Sequence, residues 1–216
     1  RLDSGSSNRK ALASRTMDRP LARRGGGLGR GAGRAQDLGQ DRGRAWRVQR
    51  MRAIERVGPG EHHLVGLPDP TPGPDEIVID VESSGVCGTD LRIIQGDYGH
   101  ISFPLVIGHE FGGHVSAVGE RVTGFAPGAL VSADPNTYCG ECEWCRRRAY
   151  NLCEHWTAVG ITRAGALAEK VAVSARLAVR LPDSLDAETA ALVEPLSCVL
   201  HAMERGQVEG DRTLLV

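Results

Sequence analysis

Residues 139–153 read CGECEWCRRRAYNLC. Cys139, Cys142, Cys145 and Cys153 fall at C-x2-C-x2-C-x7-C, which is metal-ligand spacing. Two residues between thiolates let one turn of backbone aim both sulfurs at a tetrahedral ion. The stretch decides how the surrounding fold is held, because it has little apolar content with which to pack. Three chemistries compete for it. Disulfides suit an oxidising compartment, whereas this chain opens arginine-rich with no secretory apolar run, and sulfurs this close pair poorly in small loops. A bacterial iron–sulfur run has three residues before its last cysteine and then proline; here the gap is seven and Glu154 follows. A closed zinc site, with four sulfurs filling the shell, fits the spacing best. Such a site is structural, so any chemistry lies elsewhere. Arg146, Arg147 and Arg148 either offset the negative charge of four thiolates on a divalent ion or form a solvated surface run.

Working outward, the net charge of −1 hides an asymmetry. Residues 1–50 carry 13 Arg+Lys against 4 Asp+Glu, and residues 51–216 carry 13 against 23. The first part has nine glycines, one aromatic (Trp46), one valine and no isoleucine. It is expected to be a disordered Arg/Gly-rich extension. Gly27 to Ala32 match a loose G-x-G-x-x-A dinucleotide pattern, but lack the strand before and the helix after that the motif needs. Nucleic acid is not expected as a partner, since no aromatics interleave the arginines. Met51 looks like a native start. No stretch approaches the ~18–20 apolar residues of a membrane span. Retained free thiols point to a reducing compartment, the cytoplasm.

From Met51 the pattern is mainly β with some α. Residues 51–57 and 62–67 predict a strand pair around Gly58-Pro59-Gly60. Pro68 to Pro74 is a rigid turn segment. Ile77 to Val81 alternates as a half-buried strand does, and Gly85 to Gly96 predicts a short turn or helix. Phe111 to Val118 is a strand in which Gly112 and Gly113 permit a bulge or a close backbone approach. Strands are also expected at Leu130–Ala133, 166–173 and 176–181. Asp186 caps a helix whose apolar face runs through Ala190, Val193, Leu196 and Leu200, interrupted at Pro195 and resuming after it to end near Gly206. Residues 213–216 open an apolar strand. Many short strands with Gly/Pro turns predict a barrel-like β domain.

Three short stretches outside the cysteine loop carry ligand chemistry: GVCGTD (85–90), GHE (108–110) and VEPLSC (193–198). Each alone is weak. Together they offer cysteine, histidine and glutamate, a set that would leave zinc's fourth position open. GVCGTD, then GHEFGGHVSAVGERV (108–122), the four-cysteine loop and VEPLSC, in this order, resemble the zinc-dependent medium-chain alcohol and polyol dehydrogenases. Glu194-Pro195-Leu196-Ser197 resembles the sorbitol and threonine dehydrogenase branch. The resemblance implies a GroES-like β-barrel catalytic domain over 51–185 with a structural-zinc loop at 134–155. It also implies that 186–216 form a linking helix and the first strand of a truncated Rossmann domain.

Carried over residue by residue, the resemblance makes Cys87, His109 and Glu194 ligands of a catalytic zinc, with Glu110 an alternate ligand. Cys139, Cys142, Cys145 and Cys153 become ligands of a structural zinc. Asp90 takes the place of the carboxylate that orients the histidine, and Thr89 that of the hydroxyl that receives the alcohol proton. Thr89 and Cys198 match cofactor-side positions, although Cys198 also reads as helix packing. The implied activity is oxidation of a polyol or other secondary alcohol to a carbonyl, with hydride transfer to NAD or NADP held by a domain outside this chain. On that reading the chain alone is inactive, and the full-length protein is a homo-oligomer acting on a small-molecule alcohol. The competing reading is a non-catalytic zinc-stabilised binding module. Two departures stand out. Arg92 replaces a histidine of the proton relay and stays protonated, so the proton leaves through water, or Arg92 meets a cofactor phosphate. Gly128-Ala129-Leu130-Val131 replaces Gly-Asp-Arg-Val, which is expected to alter a surface contact.

Overall fold

The computed structural model describes residues 50–99, 101–208 and 210. The extension before Arg50 and the strand expected at 213–216 lie outside the described residues. In chain order the elements are β1 (Arg50–Gly58), β2 (Glu61–Pro68), β3 (Glu76–Ser84), α1 (Gly88–Gln95), β4 (Leu105–Val106), β5 (Phe111–Val118), β6 (Leu130–Ala133) and β7 (Asn136–Thr137). There follow α2 (Glu143–Arg146), β8 (Thr157–Ala158), β9 (Lys170–Ser174), β10 (Ala178–Arg180), α3 (Ala187–Ala191) and α4 (Val193–Arg205).

Among the described residues the named strands pair antiparallel, in three sheets ordered β2-β1-β4, β10-β6-β5-β3-β9 and β7-β8. β3 lies inside the five-stranded sheet, between β5 and β9. Its Ile77 and Ile79 are buried with Phe111 and Val115 of β5, Val131 of β6 and Val171 and Val173 of β9. These β-branched and aromatic residues fit a pleated surface packed on its core side. A second cluster joins Ile93 of α1 to Leu105, Ile107, Ala158 and Ile161.

The pairing of β3 with β5 positions the candidate site. Ser84, at the end of β3, lies opposite Phe111, at the start of β5. The segment leaving one strand therefore runs beside the segment entering the other. The Gly85 N–H extends the pairing by donating to the Glu110 carbonyl at 2.7 Å. Cys87 and the His109-Glu110 pair are brought together by this register, despite their separation in sequence.

Several expectations are revised. Residues 166–169 are not in a strand: β9 begins at Lys170, and a 3-10 turn at Ala175–Leu177 precedes β10. The helix does not break at Pro195. α3 ends at Ala191, and α4 starts at Val193 with Pro195 already in its first turn. An N–H at that position has no intrahelical partner, so proline loses nothing there. Ala129, Leu130 and Val131 are buried rather than at the surface, with Leu130 packed on Ala187 and Ala190 of α3. Leu196, Val199 and Leu200 of α4 are exposed among the described residues.

Candidate metal centres

The four cysteines of the loop converge. Their sulfurs all lie within 4.8 Å of one another, with Cys139–Cys153 at 3.6 Å, Cys139–Cys145 at 3.9 Å and Cys142–Cys153 at 4.0 Å. A tetrahedral ion with Zn–S bonds of ~2.3 Å has sulfur–sulfur edges of about 3.8 Å. These separations match that edge and exceed a disulfide bond of ~2.05 Å; all six cysteines are free thiols. The backbone supports the arrangement. Cys142 caps the short α2, its N–H donates to Cys139 Sγ, and the N–H groups of Cys139 and His155 donate to Cys153 Sγ. Amides of Cys145 and Glu154 pull the Cys142 thiol down to about 6, whereas burial pushes Cys145 up to about 12. Tyr138 and Tyr150 stack at 4.1 Å, with the Arg176 guanidinium on the Tyr138 ring, so the loop is braced by aromatic contact as well.

The second grouping is Cys87, His109 and Glu110, whose donor atoms also lie within 4.8 Å of one another. Cys87 is the extended N-cap residue of α1. Asp90, 0% exposed, binds both halves of the site. Its Oδ2 accepts the Cys87 N–H at 2.9 Å, and its Oδ1 accepts the Gly108 N–H at 3.2 Å. The same Oδ1 lies 3.4 Å from His109 Nδ1, at ion-pair distance but without hydrogen-bond alignment. Burial opposes charge on His109, yet Asp90 and then Cys87 overcome it and hold the imidazole at about 9. A buried imidazole facing a buried carboxylate on one side is the arrangement that orients a metal-binding histidine. Sulfur, nitrogen and carboxylate oxygen together form a donor set that suits zinc. Gly108 makes the turn into His109 at φ +95°; a Cβ there would lie 2.8 Å from Leu167.

Glu194 is not in this grouping. It is half-buried in the first turn of α4, where burial raises its pKa against the attraction of His109, and Glu110 raises it further. Its Oε1 accepts from Cys198 Sγ at 3.6 Å. Burial and then Glu194 raise the Cys198 thiol in turn. Both line a cleft of about 370 Å³ with Asp134, Asn136, Ser197 and His201. His201 was not anticipated; its signal is helical spacing, three residues beyond Cys198. Thr89 is half-buried in the first turn of α1. Arg92 is exposed, donates to the Asp97 carbonyl at 3.5 Å and faces the Tyr98 ring. Trp156, Tyr138 and Tyr150 line an adjoining cavity of about 480 Å³ that shares Asp134 and Asn136 with the Glu194 cleft.

Residues 73–183 match the family described as the alcohol dehydrogenase GroES-like domain. The chain is 34% identical over 170 residues to D-arabitol-phosphate dehydrogenase of Enterococcus avium, an alignment covering 77% of this chain and 48% of that protein. It is 36% identical over 166 residues to sorbitol dehydrogenase of Halalkalibacterium halodurans, covering 74% and 48%. Among solved structures, an alcohol dehydrogenase from Escherichia coli CFT073 complexed with NADH superposes with a TM-score of 0.71 at 30% identity, covering 76% of this chain and 48% of that one. The chain belongs to the zinc medium-chain alcohol and polyol dehydrogenase family and contains its GroES-like N-terminal half. It spans about half the length of the curated relatives it matches.

Proposed function

We propose that this chain carries the metal-binding half of an NAD(P)-dependent dehydrogenase that oxidises a polyol or another secondary alcohol to a carbonyl, with two zinc ions per chain. The observation that carries this reading is the convergence of Cys87, His109 and Glu110 in front of the buried Asp90. The polyol substrate class follows the relatives, which are dehydrogenases of sorbitol and of D-arabitol phosphate. Residues 51–185 make up the zinc domain, and 186–216 lead toward a nucleotide-binding domain. Six free thiols favour the reducing cytoplasm.

When bound, zinc would supply Lewis-acid polarisation of a substrate oxygen, and a nicotinamide would serve as hydride acceptor. The chain's own residues do the rest. Cys87 and His109 bind the metal. Glu110, whose carboxylate lies with them, would be the third donor, and Glu194 the carboxylate that would replace it. One thiolate and one carboxylate balance a divalent charge, which keeps the site neutral enough to be half-buried. Asp90, at ion-pair distance from Nδ1, would orient the His109 ring and leave the other ring nitrogen for the metal. The Thr89 hydroxyl would accept the alcohol proton while releasing its own to solvent water. Arg92 stays protonated and is not the base. A zinc-stabilised binding module without catalysis would need only the four-cysteine site, and would leave the second grouping and its buried carboxylate without a role.

Zinc content by plasma mass spectrometry tests the reading. Two ions per chain are expected, falling to one in Cys87→Ser. Glu110→Gln and Glu194→Gln should each retain the second ion but release it faster to a chelator, and the double variant should lose it. Two ions per chain in Cys87→Ser would overturn the assignment.

A further inference from the structure

We propose that a crevice beside Arg56 is a binding site for a small oxyanion, the phosphate or carboxylate group of a metabolite. Arg56 lies near the C-terminal end of β1 and is 1% exposed. Its guanidinium rests 4.1 Å above the Phe103 ring, and Nη2 donates to the Ile94 carbonyl at 3.3 Å. Its Nε is buried with no hydrogen-bond partner. Among the described residues no carboxylate lies at ion-pair distance from it.

Guanidinium remains charged in proteins, even where burial lowers its pKa as it does here. A buried charge is ordinarily paired, and a ring face and one carbonyl do not supply a counter-charge. Arg56 lines a crevice of about 310 Å³, large enough for a phosphate and its substituent. Tyr98 and Ser102 line the same crevice and bring two hydroxyl donors. The described lining contains no acidic residue. One buried cation, an unused N–H, two hydroxyls and no competing carboxylate form an environment for an oxyanion. None of these groups belongs to either metal centre, so the site stands whether or not the dehydrogenase reading holds.

The test measures melting temperature and titration calorimetry in chloride buffer at constant ionic strength, with inorganic phosphate in one arm and acetate in the other. Phosphate also stabilises proteins non-specifically, so the readout is a saturable response compared with two variants. Wild type should gain about 2–5 °C once the anion is about tenfold above its Kd. Arg56→Gln should lose that gain. Ser102→Glu changes an exposed residue at the crevice mouth, and so guards against misfolding of the arginine variant. Its carboxylate should occupy the site, raising the melting temperature without added anion and removing the response. Response to phosphate alone assigns a phosphate group, and response to acetate assigns a carboxylate. No saturable binding of either anion, or an undiminished response in Ser102→Glu, would overturn the proposal.

Discussion

The Asp90 carboxylate is fully enclosed, with one oxygen on the Cys87 amide and the other shared between the Gly108 amide and His109. Both of its oxygens must accept, which aspartate can do and asparagine cannot. In Asp90→Asn the side-chain NH2 would meet either a backbone N–H or the imidazole. Loss of one buried acceptor costs about 1–3 kcal/mol, and loss of a ligand's orienting partner lowers metal affinity about 10–100-fold. On the two-zinc reading, we expect Asp90→Asn to fold with a lower urea midpoint and to lose one zinc at about 10–100-fold lower chelator strength than wild type. Cys142 and its neighbours should be unaffected, so the other metal stays bound. Loss of both metals together would show that Asp90 supports the whole domain rather than one centre.

At the scale of elements, the approach of α3 to the sheet depends on a missing side chain. A Cβ on Gly112 of β5 would lie 2.3 Å from the Ala187 carbonyl oxygen and 2.5 Å from the Ala190 Cβ. Gly112→Ala should therefore push α3 outward and destabilise the protein by about 1–3 kcal/mol, as overpacking does, read from a urea midpoint shift at unchanged slope. A midpoint equal to wild type would mean that α3 is loosely docked. The glycine pair was legible in the sequence as a close approach, but which element approached was not, because that depends on α3 returning from the far end of the chain. β3 and β5 were legible from their alternation and apolar content. β4, β7 and β8 have two residues each, too few for any period to register. The start of α4 was misread because proline was treated as a breaker, when at the third helical position its missing N–H has no consequence. The clustering of the four cysteines could be read from spacing alone, since its members are local. Whether Glu110 or Glu194 stands beside Cys87 and His109 depends on the β3–β5 register and on how α4 sits, and neither is a property of short motifs.

For the whole molecule, the two-zinc reading makes stability a combination of metal, packing and charge, each responding to a different perturbation. Replacing Cys145, a buried sulfur of the loop, should release one zinc and expose residues 139–153 to proteolysis while the five-stranded sheet persists. Limited digestion of Cys145→Ser, compared with Cys87→Ser, checks this; cleavage spread over the sheet would contradict it. Acid acts differently. Glu76 and Asp80 lie on β3, and burial alone would raise both. Hydrogen bonds from Arg163 and the Gly73 amide to Glu76, and from Lys170 to Asp80, more than offset that and hold them below their ordinary 4.5 and 3.8. A carboxyl with a lowered folded pKa stabilises fully above its unfolded value and loses that contribution as pH falls through the folded one. The contribution of these two carboxyls should thus be constant near neutrality and decline once pH drops below about 4.5, as the unfolded chain takes up protons first. Thiolate and imidazole ligands also protonate in acid and release metal, which pushes in the same direction. The double variant Glu76→Gln/Asp80→Asn separates the two causes, because it keeps the metal sites and lacks both carboxyls. It should be less stable than wild type at pH 7 and fall less steeply between pH 5 and 3. Parallel curves for the two proteins would assign the acid sensitivity to the metal centres alone.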